Sequence, residues 1–229
     1  MFGRSATIAL ITVFSLWVPL VPAWAEGESR PASDAEKAFY QRVFKALEAA
    51  VPARGPQGWT VVEKTDFERL ETVGSGTENE PFWVTYTVVW QNPAQIPADG
   101  APAADEAGDS CREGRDARAE ITVMANVTVE SFMAPFAETE AVAGHPVYRT
   151  EGDLDPDFGW QEGVSFVFLG PGWQLSGEGD EAFMEALPRA DLPHTRVQTV
   201  LVRVQAEEER ARELLAAIDW KLLERLIGT

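Results

Sequence analysis

The chain has 229 residues, with 37 acidic against 19 basic side chains, two histidines and one cysteine, for a net charge of −18. That sign excludes nucleic-acid binding through a basic face, because phosphate contacts need lysine and arginine. A single cysteine excludes an intramolecular disulfide framework and a multi-cysteine zinc site.

The first 25 residues read as a cleaved signal peptide. Arg4 supplies a short positive start, Ala6 to Val21 is apolar, and Ala23-Trp24-Ala25 has the small-x-small form that signal peptidase cuts. Pro19 and Pro22 argue against a continuous membrane anchor. The chain from Glu26 onward is therefore expected in the periplasm or secreted, with no stable membrane insertion after cleavage. Arginine outnumbers lysine and alanine is abundant, which suggests a bacterial source. Residues 26–229 suffice for a single domain with its own core.

Ser33-Asp34-Ala35-Glu36 has the spacing of a helix capping box. Phe39, Tyr40, Val43, Phe44, Leu47 and Ala50 follow at helical spacing, and Val51-Pro52 ends the run. Trp59 to Lys64 reads as a short strand, and Asp66 to Glu80 as a polar loop. Phe82 to Gln91 alternates, with Phe82, Val84, Tyr86, Val88 and Trp90 on one face. Ile121 to Glu130 alternates in the same way. Between them, residues 92–118 form an acidic stretch rich in Ala, Pro and Gly, which lacks the apolar surface to fold and is expected to be disordered. It reads as a long loop joining two paired antiparallel strands, since added loop length costs little closure entropy.

Further strands are expected at Val147 to Thr150, Val164 to Leu169 and Thr195 to Gln205, with an acidic loop at Glu151 to Gly159. Gly170-Pro171-Gly172 is a strong turn signal, and Trp173 to Ser176 would return from it as a hairpin partner. Asp180 to Leu187 reads as a short helix. A last helix starts at Glu207-Glu208-Glu209, where carboxylates complement the helix dipole. Its buried stripe is Ala211, Leu214, Leu215, Ile218, Leu222 and Leu226, which leaves Trp220 partly exposed on the opposite side. The fold class is α+β: an antiparallel sheet of about six or seven strands, flanked by N-terminal and C-terminal helices.

Three constellations bear on function. Asp153, Asp155 and Asp157 have the opening spacing of a calcium loop, but Phe158 and Val164 stand where glycine and glutamate are needed. His145, Asp191 and His194 would make a metal set for an assisted hydrolase, without a helix-borne ligand pair. Trp83, Trp160 and Trp173 would line a ligand-binding groove on the second sheet face, since partly exposed tryptophan is enriched at recognition surfaces. Weaker patterns carry less. Cys111 lies in the 92–118 stretch without a positioned base. Gly177 to Ala182 matches a nucleotide-loop pattern but is acidic and lacks a βαβ context. Asn126-Val127-Thr128 is a glycosylation sequon in the middle of a strand.

The reading these residues support is an exported, soluble, non-enzymatic binding or accessory domain without a cofactor, acting on an envelope protein partner or a ligand. A metal-assisted hydrolase and a calcium-stabilised envelope module are the alternatives.

Overall fold

Ser33 opens the first helix by the reciprocal contacts that its spacing predicts. Its hydroxyl accepts from Glu36 N at 3.3 Å, and the Glu36 carboxylate accepts from Ser33 N at 2.7 Å. The computed structural model describes residues 29–74, 80–95, 118–127, 132–133, 137–155, 159–161, 163–177 and 183–229. The proposed signal peptide, Cys111 and Asp157 lie outside them, as does all but the two ends of the 92–118 stretch.

The elements are β1 (Ser29–Pro31), α1 (Asp34–Ala50), β2 (Thr60–Lys64), β3 (Thr72–Gly74), β4 (Val84–Gln91), β5 (Arg118–Ala125), β6 (Phe132–Met133), β7 (Ala137–Val142), β8 (His145–Arg149), β9 (Asp153–Asp155), β10 (Gly159–Gln161), β11 (Val164–Leu169), β12 (Trp173–Ser176), β13 (Phe183–Ala186), β14 (Val200–Gln205), α2 (Glu208–Ala216) and α3 (Trp220–Leu226). Seven strands form one antiparallel sheet in the order β2-β4-β5-β14-β11-β8-β7. With the terminal helices this is an α+β fold. β4 and β5 pair along their whole lengths, from Val84 opposite Ala125 to Gln91 opposite Arg118. The 92–118 stretch thus connects hydrogen-bonded neighbours. No helix among the described residues is long and apolar enough to cross a membrane.

All three helices lie against one sheet face. Phe39, Val43, Phe44 and Leu47 of α1 pack with Val84, Tyr86, Val88 and Trp90 of β4, and α2 and α3 complete the layer with Leu214, Leu215 and Leu223. Burying each such side chain contributes about 1.5–3 kcal/mol. Gly55 touches the Trp90 indole so closely that any Cβ there would collide with the ring. The second sheet face has its own smaller cluster of Met124, Val127, Phe166 and Leu201, flanked by Tyr148, Phe168 and Trp173.

Several expectations are corrected. Asp180 to Leu187 is not helical where described: Phe183–Ala186 is strand β13, held between β12 and β6, with Met184 and Ala186 buried. Two strand partners outweigh the weak helix tendency of so short a segment. β12 follows the Gly170 turn but pairs with β13 rather than folding back on β11. The 66–80 loop contains β3, which pairs with β1, and the acidic 151–159 loop contains β9, which pairs with β10. The 121–130 strand stops at Asn126, whose φ is 60°.

The expected last helix is two helices. Asp219 caps the second, accepting from Leu222 N at 3.0 Å, and Asp219 N donates to Ala50 O at 2.9 Å. Trp220 is buried rather than exposed, and its indole N–H donates to Leu215 O at 2.9 Å, one of the carbonyls freed where α2 ends. The break rotates the buried stripe onto Trp220, Leu223 and Leu226.

Glu36 fixes the N-terminal edge. Its side chain is buried, and its carboxylate receives Arg30 Nη2 at 2.6 Å and Nη1 at 3.0 Å, besides the Ser33 amide and hydroxyl. His194 Nε2 stands 3.1 Å away. The Arg30 guanidinium, opposed by burial and helped by Ser33 and His194, holds the carboxyl well below the ordinary value of 4.5. The ionised form therefore stabilises the fold above pH 4.5, and that stability is lost as pH falls below it towards the depressed folded value. Glu36→Gln is expected to cost about 2 kcal/mol at neutral pH. Urea unfolding between pH 3 and 7 checks this, since the variant should lose part of the wild-type acid dependence.

Candidate functional site

Val84, Ala125, Val200 and Leu169 lie side by side across β4, β5, β14 and β11, so these strands end or begin in one row. Beyond that row the chain passes through Asn126, the Gly170 turn and the segment from Leu187 to Thr199. Asparagine tolerates positive φ better than other non-glycine residues, because its short amide can bond locally. Asn126 uses that freedom. It is 1% exposed, and its Nδ2 donates to Phe82 O at 3.2 Å and Arg196 O at 2.9 Å. Its Oδ1 accepts from Gln198 N at 2.7 Å.

Gln198 extends the chain of amides. Its Oε1 accepts from Arg189 N at 2.7 Å and its Nε2 donates to Arg189 O at 3.2 Å. Two buried carboxamides thus hold both ends of the 189–198 segment. The C-terminal stretch is laced to the same segment: Val197 N donates to Thr229 O at 3.1 Å, and Gly228 N to Val197 O at 2.8 Å. On the other side, Gly170 has φ 101°, and a Cβ there would strike the Gln198 carbonyl oxygen. Only glycine lets the 170–172 turn approach so closely.

These three segments enclose a cavity of about 250 Å³. Leu187, Leu192, Val197 and Ile227 give it apolar walls, and Arg189 and Arg196 bring two guanidinium groups to it. The two differ. Arg189 donates to both oxygens of Asp191, from Nε at 3.0 Å and Nη2 at 2.6 Å. Arg196 is exposed and forms no ion pair among the described residues. The arrangement offers a hydrocarbon-lined hollow with one uncompensated positive charge, which suits an apolar molecule with an anionic end.

Asp191 lies on the wall segment, and the Arg189 guanidinium holds its carboxyl below the usual range. His194 is on the same segment but its Nε2 faces Glu36. His145 starts β8 after the two-residue turn Ala143-Gly144, both with positive φ, and its Nε2 is 2.8 Å from Glu224 Oε1. Each of these three groups thus has its own partner, and among the described residues no group of three or more His, Cys, Asp or Glu side chains can hold a metal ion. Asp153 and Asp155 are in β9, which pairs with β10. Trp160 is in β10, opposite Leu154. Trp173 is half-buried, donates its indole N–H to Leu169 O at 3.1 Å and meets Phe168 edge-on at 4.9 Å. Trp83, just before β4, is 50% exposed.

Comparison with protein-family models, curated proteins and solved structures finds no match.

The sequence pattern did not reveal that Asn126 and Gln198 organise the walls of this cavity. Asn126 interrupts an alternating run of strand formers, which is the one local sign of a backbone break. Asn126→Ala removes three hydrogen bonds and leaves buried backbone groups unpaired, an expected loss of about 3 kcal/mol. Asn126→Gly relieves the positive φ but loses the same bonds, so it should also be destabilised. An unchanged urea midpoint in both variants would show that the carboxamide does not organise this end of the sheet.

Proposed function

We propose that the chain is an exported, non-enzymatic binding domain whose cavity between the 189–198 segment and Ile227-Gly228 takes a small apolar ligand with an anionic end group. The observation that carries this reading is Arg196, an unpaired cation beside hydrocarbon walls in a chain of net charge −18. Arg30, Arg118, Arg189, Arg203, Arg210 and Arg212, six of the twelve described arginines, have carboxylate partners. One left unpaired at the mouth of a cavity is available to a ligand. The walls are fixed by buried amides rather than by mobile side chains, so little ordering entropy opposes binding. The export reading rests on the apolar segment before Ala23-Trp24-Ala25.

Hexanoate is a suitable probe, because it joins a short hydrocarbon chain to a carboxylate. Titration calorimetry is expected to show one saturable site, with affinity about tenfold lower in Arg196→Ala, or about 1.4 kcal/mol. Hexylamine, of the same length but opposite charge, should not compete. Equal binding of the two probes, or equal affinity of wild type and R196A, would remove the cavity as an anion-selective site.

A further inference from the structure

A second concavity, of about 560 Å³, lies between α1 and the segment leading into β3, lined by Lys37, Gln41, Phe67, Arg69, Leu70 and Glu71. Lys37 and Gln41 are one helical turn apart, and Lys45 continues the exposed stripe by another turn. The opposite wall is anchored. Ala32 N donates to Glu71 O at 3.0 Å, and the β3 strand that follows pairs with β1. Phe67 is 41% exposed, yet its ring is held 5.4 Å from Phe44 and 5.9 Å from Tyr40. An apolar plate is therefore fixed in the groove.

Two cations and one acid line this groove, in a chain of net charge −18. Arg30, Lys64, Arg118, Arg189, Arg203, Arg210 and Arg212 are all committed to carboxylates. Lys37, Lys45 and Arg69 are in no ion pair among the described residues, and Glu71 is the one acid in the lining. We propose that this groove docks an extended acidic segment of a partner protein, with carboxylates on Lys37 and Arg69 and an apolar side chain on Phe67. The complementary charge identifies the occupant. Although the whole chain repels acidic partners, at physiological salt screening confines charge effects to about 8 Å, so the contacting groups decide. A groove running beside a helix, with cations on both walls, fits a chain better than a compact ligand.

The test is fluorescence anisotropy with a labelled glutamate-rich peptide carrying one central phenylalanine. Lys37→Glu with Arg69→Glu is expected to lower affinity about tenfold or more, because each favourable contact becomes a repulsion. Both side chains are exposed, and an unchanged melting curve would confirm that the variant is folded. Arg54→Glu with Lys221→Glu adds the same charge beyond the far end of α1, about 20 Å from Lys37 by helix length, and should leave affinity within about twofold. Equal losses in both variants would reduce the effect to bulk charge and overturn the proposal. So would the absence of peptide binding. Sedimentation with phosphatidylglycerol vesicles separates the other source of anionic groups: vesicle binding that depends on Lys37 and Arg69, without peptide binding, would assign the groove to lipid headgroups instead.

Discussion

The buried carboxamide of Asn126 is the constraint on which one end of this molecule depends. The strand register brings β4, β5, β14 and β11 to a common row, where four chain segments must leave the sheet with their backbone groups still paired. Asn126 satisfies three of those groups from one side chain, and its own amide donates to Thr199 O at 2.9 Å. Positive φ there costs little for asparagine and would cost more for the β-branched residues that surround it. The strand therefore ends at the residue best suited to organise the turn beyond it. Gln198 then transfers this order to Arg189, which is how a loop of eleven residues from Leu187 to Val197 becomes a wall.

Electrostatics in this chain are a matter of allocation. In a chain of 37 acids and 19 bases, seven of the sixteen described lysines and arginines are paired with a carboxylate. Most of these pairs are exposed and contribute about 0–1 kcal/mol each, too little to define the fold. The pair of Arg30 with Glu36 differs because the carboxylate is buried, with its other contacts supplied by Ser33 and His194. A carboxylate so enclosed is tolerable only while all its partners remain, which couples β1, the start of α1 and the His194 turn into one unit. Arg196 at the cavity and Lys37 and Arg69 at the groove are exposed and among the cations outside such pairs.

The parts of the fold legible in the sequence are those set by local repetition. The capping box of α1, the alternation in β4 and β5, and the apolar run of β11 each carry their own period. The parts that were not legible are set by partners distant in the chain. β1, β3, β6, β9 and β13 have two to four residues each, too few to show a period, and exist because another strand lies beside them. The break before α3 had a local sign in Asp219, a good capping residue, but the unbroken leucine spacing masked it. The histidines show the same limit. Their partners, Glu224 for His145 and Glu36 for His194, lie 79 and 158 residues away.

The cavity belongs to this second class for a physical reason. Its walls come from the Gly170 turn, the 187–198 segment and Ile227-Gly228, and none of these has a pattern by itself. Each is polar enough at its backbone to need partners and apolar enough in its side chains to need cover. The sheet end supplies the partners through Asn126 and Gln198. The cover is incomplete, since Leu187 remains 45% exposed at the lining. A protein maximising its own burial would close such a hollow, because each unfilled contact forfeits dispersion energy. Here the glycines, which bring the 170–172 turn close, and the amides, which hold the opposite wall away from it, keep the space open. Rigid walls around incompletely covered leucine are the condition under which a small apolar ligand gains most, because neither partner has to reorganise.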